Sequence, residues 1–170
     1  NLLMAILAAY KSELTLKKIT NSIEKIKAVP GRLEKIGSLK NNSFVILDYA
    51  HTPDALETSL KSIKEQFNLK RISLVFGCGG ERDKPKRKLM GIIANKNCDK
   101  IYLTDDNPRN ENPNNIRNEI KVKISKKKLY EIPSRKSAIK LAIENAKSDE
   151  IVIISGKGHE SYQEYQKKKN

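Results

Sequence analysis

The sequence predicts an α/β fold, a doubly wound (Rossmann-like), mostly parallel sheet with helices on both faces and a short β-hairpin in front. Three observations predict it. The runs "FVILD", "ISLVFG" and "EIVIIS" are apolar throughout rather than alternating, as strands buried on both faces are. Amphipathic stretches of helical length separate them, the pattern of repeated strand–helix units. The residues that follow the strands hold most of the Gly, Asp, His and Arg in the chain, and in such folds ligands bind beyond the carboxyl ends of the strands.

Taken in order, residues 2–10 and 14–26 read as two helices, the second carrying Leu14, Leu16, Ile19, Ile23 and Ile26 near helical spacing. Pro30 and Gly31 in "AVPGR" break that pattern and set a boundary near residue 29. Strands are expected over 32–39 and 43–48, joined by a turn at "KNN". Helices are expected over 53–67, 84–96, 113–123 and 134–147. Strands follow at "ISLVFG", "KIYLTD" and 128–131, and "EIVIIS" closes the series.

The 170 residues suffice for one domain with a real core, or one domain and part of a neighbour. The apolar run "LLMAILAAY" is too short to cross a bilayer, and no basic segment precedes it, so neither a membrane span nor a signal peptide is expected. Cys78 and Cys98 show neither metal-ligand spacing nor a disulfide framework, which suits a reducing cytoplasm. A net charge of +14 invites a nucleic-acid partner. The lysines are scattered, however, and no aromatic residues are interleaved for base stacking, so no nucleic-acid partner is expected.

Four loops remain after ordinary punctuation is subtracted. In "DYAHTPD" (48–54), Thr52 suits an N-cap and Pro53 the first helical position. Asp48, Tyr49 and His51 are left to meet ribose and base, or to serve as loop packing. "GCGGERDKPKR" (77–87) offers glycines that let backbone approach a ligand, then Arg82, Lys84, Lys86 and Arg87 ahead of a helix, where anions are held. No G-x-x-x-x-G-K-[ST] loop occurs. "DDNPR" (105–109) satisfies turn chemistry through Asp, Asn and Pro108, but a turn does not need Arg109. That guanidinium could grip a carboxylate while Asp106 and Asn107 receive an ammonium. "GKGHE" (156–160) adds two glycines, Lys157, His159 and Glu160, the last a further ammonium acceptor and His159 equally a loop brace.

In this order, "VPGR", "DYAHTPDAL", "FGCGGERDKPKR", "TDDNPR" and "GKGHE" resemble the C-terminal domain of the Mur ligase family, ATP-dependent amide-forming enzymes of peptidoglycan synthesis. The likeness is strongest to members that add meso-diaminopimelate and covers about residues 29–165. It implies that ATP phosphorylates the D-glutamate carboxylate of a UDP-N-acetylmuramoyl-dipeptide and that the amine of diaminopimelate then displaces phosphate. It also implies that Arg32 reaches the ATP phosphates, with Asp48 on the ribose and Tyr49 and His51 in the same nucleotide-facing loop. Arg82, Asp106, Asn107, Pro108, Arg109, Gly156 and Glu160 match the diaminopimelate contacts, with Lys157 and His159 as further anion or loop contacts. ATP and Mg2+ are expected mainly in a central ATPase domain, of which residues 1–28 look like the remnant; residues 29–170 are the C-terminal domain, expected to be shortened at its end. A monomer is expected, inactive without the other domains. A relative that adds L-lysine or glutamate, or a stand-alone nucleotide- or anion-binding module, remains the alternative.

Overall fold

The computed structural model describes residues 2–26, 29–39, 42–68, 70–160, 162–166 and 168–169. Two helices, α1 (Leu2–Lys11) and α2 (Leu16–Ile23), come first. They pack on each other, and Ile19 is their only buried side chain among the described residues. Helix α2 is shorter than its apolar spacing predicts. Thr15 caps it at the start, and Ile26 lies beyond its end, 60% exposed. The hairpin β1 (Glu34–Ser38) and β2 (Phe44–Asp48) is antiparallel, as expected. Lys40 and Asn41 of the expected "KNN" turn lie outside the described residues.

The remaining strands are β3 (Arg71–Phe76), β4 (Lys100–Leu103), β5 (Leu129–Glu131) and β6 (Glu150–Ser155). They join the hairpin in one sheet of order β1-β2-β6-β3-β4-β5, parallel from β2 onward. The last long strand in the chain therefore sits centrally, between β2 and β3, which is why all six of its residues are buried. Helices α3 (Pro53–Gln66), α4 (Pro85–Asn97) and α5 (Pro113–Lys121) cover one face. Leu56, Leu60, Ile63, Met90, Ala94, Ile116 and Ile120 pack there against Phe44, Ile72, Leu74, Phe76, Ile101 and Ile153. Helix α6 (Arg135–Glu144) covers the other, setting Ala138 and Ala142 against Val45, Val75, Tyr102 and Val152.

Local sequence explains where these helices start. Pro53, Pro85 and Pro113 occupy first-turn positions, where a missing N–H costs nothing. Thr52, Asn112 and Ser134 accept hydrogen bonds from backbone N–H groups of the first turns. Because β2, β6, β3 and β4 run parallel, the loops after β2, β3, β4 and β6 gather at one edge of the sheet. A small antiparallel pair, β7 (Glu164–Tyr165) and β8 (Lys168–Lys169), follows β6; the sequence reading did not place it.

Candidate functional site

The four loops enclose a cleft of about 480 Å³. Arg82, Asp106, Asn107, Arg109, Gly156 and Glu160 line it, together with Tyr49, His51 and Lys86. Of the residues assigned from sequence to amino-acid binding, Pro108 alone is not in the lining; of those assigned to nucleotide, Arg32 and Asp48 are not. Lys157 and His159 also lie outside it. Cys78 reaches the cleft wall, but burial pushes its thiol up to about 12, which removes it as a nucleophile.

The glycines of "GCGG" answer first to the neighbouring loop rather than to a ligand. A Cβ on Gly77 would stand 2.2 Å from the Thr104 carbonyl oxygen, and one on Gly80 1.9 Å from that of Pro108. The Gly80 N–H also donates to the Asn107 carbonyl at 2.8 Å. Arg87 departs in the same way from an anion-binding role. It is fully buried and donates to Glu111 (2.9 and 3.0 Å), Glu119 (2.9 Å) and the Gly79 carbonyl (3.1 Å). Hydrogen bonds from Arg87 hold the Glu111 carboxyl down at about 2, with help from the Glu81 N–H. The loops after β3 and β4 are thus tied into one wall. Lys86 stays in the cleft and donates to the His51 carbonyl at 3.0 Å.

The charges of "DDNPR" divide by function. Asp105 is spent on structure, paired with buried Arg117 and accepting from the Tyr165 hydroxyl at 3.2 Å. Asn107 is a brace: its Oδ1 accepts from Lys157 Nζ (2.8 Å) and the Glu164 N–H (2.9 Å), and its Nδ2 donates to Glu160 Oε2 at 3.5 Å. Its amide oxygen is therefore committed, whereas Asp106 and Glu160 bring carboxylates to the cleft lining. The Asp106 carboxylate makes no hydrogen bond among the described residues. It stands 3.8 Å from Lys157 Nζ and 3.9 Å from Arg135 Nη1. Arg109, at φ +53°, donates through Nη1 to the Gly80 carbonyl at 2.8 Å and holds Nε 3.2 Å from Glu164.

Sequence reasoning missed the strap that holds this loop. Gln163 Nε2 donates to the carbonyls of Asp105 and Asp106, the Arg109 N–H donates to the Glu164 carbonyl, and the Gln166 N–H donates to the Arg109 carbonyl. Residues 163–166 carry no local signal, because their partners are main-chain groups some 57 residues away. Arg135 was missed too, since nothing in "PSRKSAIK" distinguishes it from a solvent-facing helix residue.

Beside the cleft, Tyr49 gathers the residues assigned to nucleotide. The exposed Arg32 guanidinium lies 4.5 Å over its ring, His51 meets it edge-on at 4.8 Å, and His159 stacks at 6.0 Å. Such a cationic and aromatic surface can take a base and phosphates. Asp48 is buried beneath it, its two carboxylate oxygens accepting from the Leu33 N–H (3.2 Å) and the Ser59 hydroxyl (2.7 Å). The Asp48 carbonyl takes the N–H groups of Gly156 and Gly158. Gly31 (φ +70°) and Gly158 (φ +49°) let the "VPGR" turn and the "GKGHE" loop meet main chain to main chain, with a Gly31 Cβ only 2.7 Å from Gly158 Cα. Lys157 points inward, to Asn107 and the Tyr162 carbonyl at 2.7 Å, rather than toward a ligand anion. No group of three or more His, Cys, Asp or Glu side chains among the described residues could hold a metal ion.

Residues 31–158 match the family described as Mur ligase, glutamate ligase domain. The chain belongs to the Mur ligase family. A UDP-N-acetylmuramoyl-L-alanyl-D-glutamate–2,6-diaminopimelate ligase of Rickettsia montanensis is 48% identical over 164 residues, 96% of this Mur ligase chain and 33% of the relative. A solved structure of a ligase of the same description is 39% identical with a TM-score of 0.76, over 98% of this chain and 34% of that one. A Mycobacterium tuberculosis folylpolyglutamate synthase, solved with ADP and AMPPCP, shares the fold at 16% identity and a TM-score of 0.69, over 84% of this chain and 33% of that one. The Mur ligase chain thus spans about a third of the length of the relatives it matches.

Proposed function

We propose that this chain is the amino-acid-binding domain of a ligase that joins meso-diaminopimelate to UDP-N-acetylmuramoyl-L-alanyl-D-glutamate in the cytoplasm. On this reading residues 29–170 form that domain, and α1 and α2, which pack mainly on each other, belong to the ATPase domain before it. One observation carries the reading. A single cleft holds three carboxylates, Asp83 at its rim together with Asp106 and Glu160, and two guanidinium groups, Arg82 and Arg109. The distal end of meso-diaminopimelate presents an ammonium and a carboxylate together and so matches both kinds of charge. Lysine presents only the ammonium, and in a lysine site Arg109 would go without a ligand partner.

ATP transfers its γ-phosphoryl group to the D-glutamate carboxylate, giving an acyl phosphate and ADP. The amine of diaminopimelate then attacks the acyl carbon, the C–O bond to phosphate breaks, and the amine proton is released as the amide forms. Phosphorylation supplies the leaving group a carboxylate lacks; this domain contributes position. Asp106 and Glu160 hold the distal ammonium and Arg109 and Arg82 the distal carboxylate, fixing the reactive amine. Arg32, with Tyr49 and His51 beside it, meets the ATP phosphates and base, while Asp48 holds the Arg32 turn and can share a carboxylate oxygen with ribose. Mg2+ and the remaining ATP contacts belong to the ATPase domain, and the UDP-sugar end of the second substrate to a separate N-terminal domain.

The test is Arg109→Ala in the full-length ligase. Turnover of meso-diaminopimelate should fall by roughly a hundredfold, the scale of losing a charge-assisted contact from a partly buried guanidinium, with no comparable gain for L-lysine. Equal rates in variant and parent would remove the assignment.

A further inference from the structure

Resting on the reading of the cleft as an amino-acid site, we propose that Arg135 is a positioning residue: it supplies the buried positive charge against which Asp106 is set, and through Asp106 it governs how tightly the cleft holds an ammonium group.

Arg135 opens α6 directly after the N-cap Ser134. A helix N-terminus carries partial positive charge, so a cation in the first turn is unfavourable there. The side chain is also only 7% exposed, and burial pulls its pKa below the ordinary arginine range while leaving it charged. Nη2 donates to the Ser155 carbonyl at 2.8 Å, but Nη1 is buried with no hydrogen-bond partner among the described residues. A buried charge, set against the helix dipole and incompletely bonded, breaks three rules at once. Something must offset the cost.

The geometry points to Asp106. Arg135 Nη1 lies 3.9 Å from Oδ2, while Lys157 Nζ stands 3.8 Å from Oδ1. Lys157 is already occupied by Asn107 Oδ1, the Tyr162 carbonyl and, at 3.4 Å, Glu160. Arg135 has donor capacity in hand, and its unpartnered nitrogen is closed off from solvent, so a diffusing anion cannot use it. Two cations thus stand behind a carboxylate that makes no hydrogen bond among the described residues and lines the cleft. Arg135 reaches it from α6, on the sheet face opposite α3, α4 and α5, and this is why no cleft motif in the sequence contains it.

The test is a double-mutant cycle on this chain, read as affinity for meso-diaminopimelate by calorimetry. Arg135→Met should weaken binding about tenfold or more, and Arg135→Lys should recover most of that loss. In an Asp106→Asn background, Arg135→Met should add less than about twofold. Losses that multiply independently, or a lysine variant no better than methionine, would overturn the proposal. The same cycle read in urea midpoints needs no ligand and should show coupling between Arg135 and Asp106; independent effects there would also overturn it. A parent chain that ignores diaminopimelate while this stability coupling holds would sink the amino-acid reading and leave the pairing standing. Should Arg135→Met fail to fold, Arg135→Lys takes its place in both cycles, with about a threefold loss expected in the parent and none in Asp106→Asn.

Discussion

Replacing Glu111 with glutamine removes one charge from the tie between the loops after β3 and β4, and the effect should depend on pH. Arg87, fully buried, donates two hydrogen bonds to Glu111, and the Glu81 N–H donates a third. Together they lower the carboxyl from its ordinary 4.5 to about 2. At about 1.36 kcal/mol per pH unit this corresponds to about 3 kcal/mol. A fifth of the side chain remains in water, so solvent screening reduces the expected figure to about 2 kcal/mol. The folded value lies below the unfolded one, so the contribution is complete above pH 4.5 and is lost as pH falls toward 2. Urea unfolding of parent and Glu111→Gln at steps between pH 2 and 7 measures it. The variant should be less stable by about 2 kcal/mol at pH 7, with the gap closing toward pH 2. A gap of constant size, or none at pH 7, would refute the assignment of this tie.

Gly80→Ala places a Cβ 1.9 Å from the Pro108 carbonyl oxygen, and should destabilise the chain by about 1–3 kcal/mol while weakening diaminopimelate binding more than Gly37→Ala, which meets nothing within 4 Å. Tyr165→Phe removes the hydroxyl bond to Asp105 and should cost about 1 kcal/mol in a urea titration. Burial and Asp105 push this phenol to about 12, so phenolate absorbance gained between pH 9 and 11 should be the same in parent and variant.

What could be read from the sequence were the features that one segment decides for itself. "FVILD", "SLVF" and "IVIIS" are strands because their apolar side chains suit a sheet covered on both faces, and Thr52-Pro53 and Asn112-Pro113 start helices by capping chemistry alone. The cleft followed from the rule that ligands meet the carboxyl ends of parallel strands, so Arg82, Asp106, Arg109 and Glu160 could be named together. Side-chain direction could not be read. Arg82 and Arg87 lie in one basic run, yet the first lines the cleft and the second is buried against two glutamates. Asn107 and Lys157 carry the polarity of ligand contacts and spend it on each other. The glycines of "GCGG" signalled a close approach without saying to what, and the approach is to the Thr104 and Pro108 carbonyls.

A cleft that reads both charges at the distal end of meso-diaminopimelate should reveal it in an amide-shift NMR titration of this chain, with L-lysine and the Arg109→Ala variant as controls. Saturable shifts are expected at Asp106, Arg109, Gly156 and Glu160 with meso-diaminopimelate, much weaker ones with L-lysine, and loss of the response in Arg109→Ala. Equal responses to the two amino acids, or a response unchanged by Arg109→Ala, would contradict that two-charge reading.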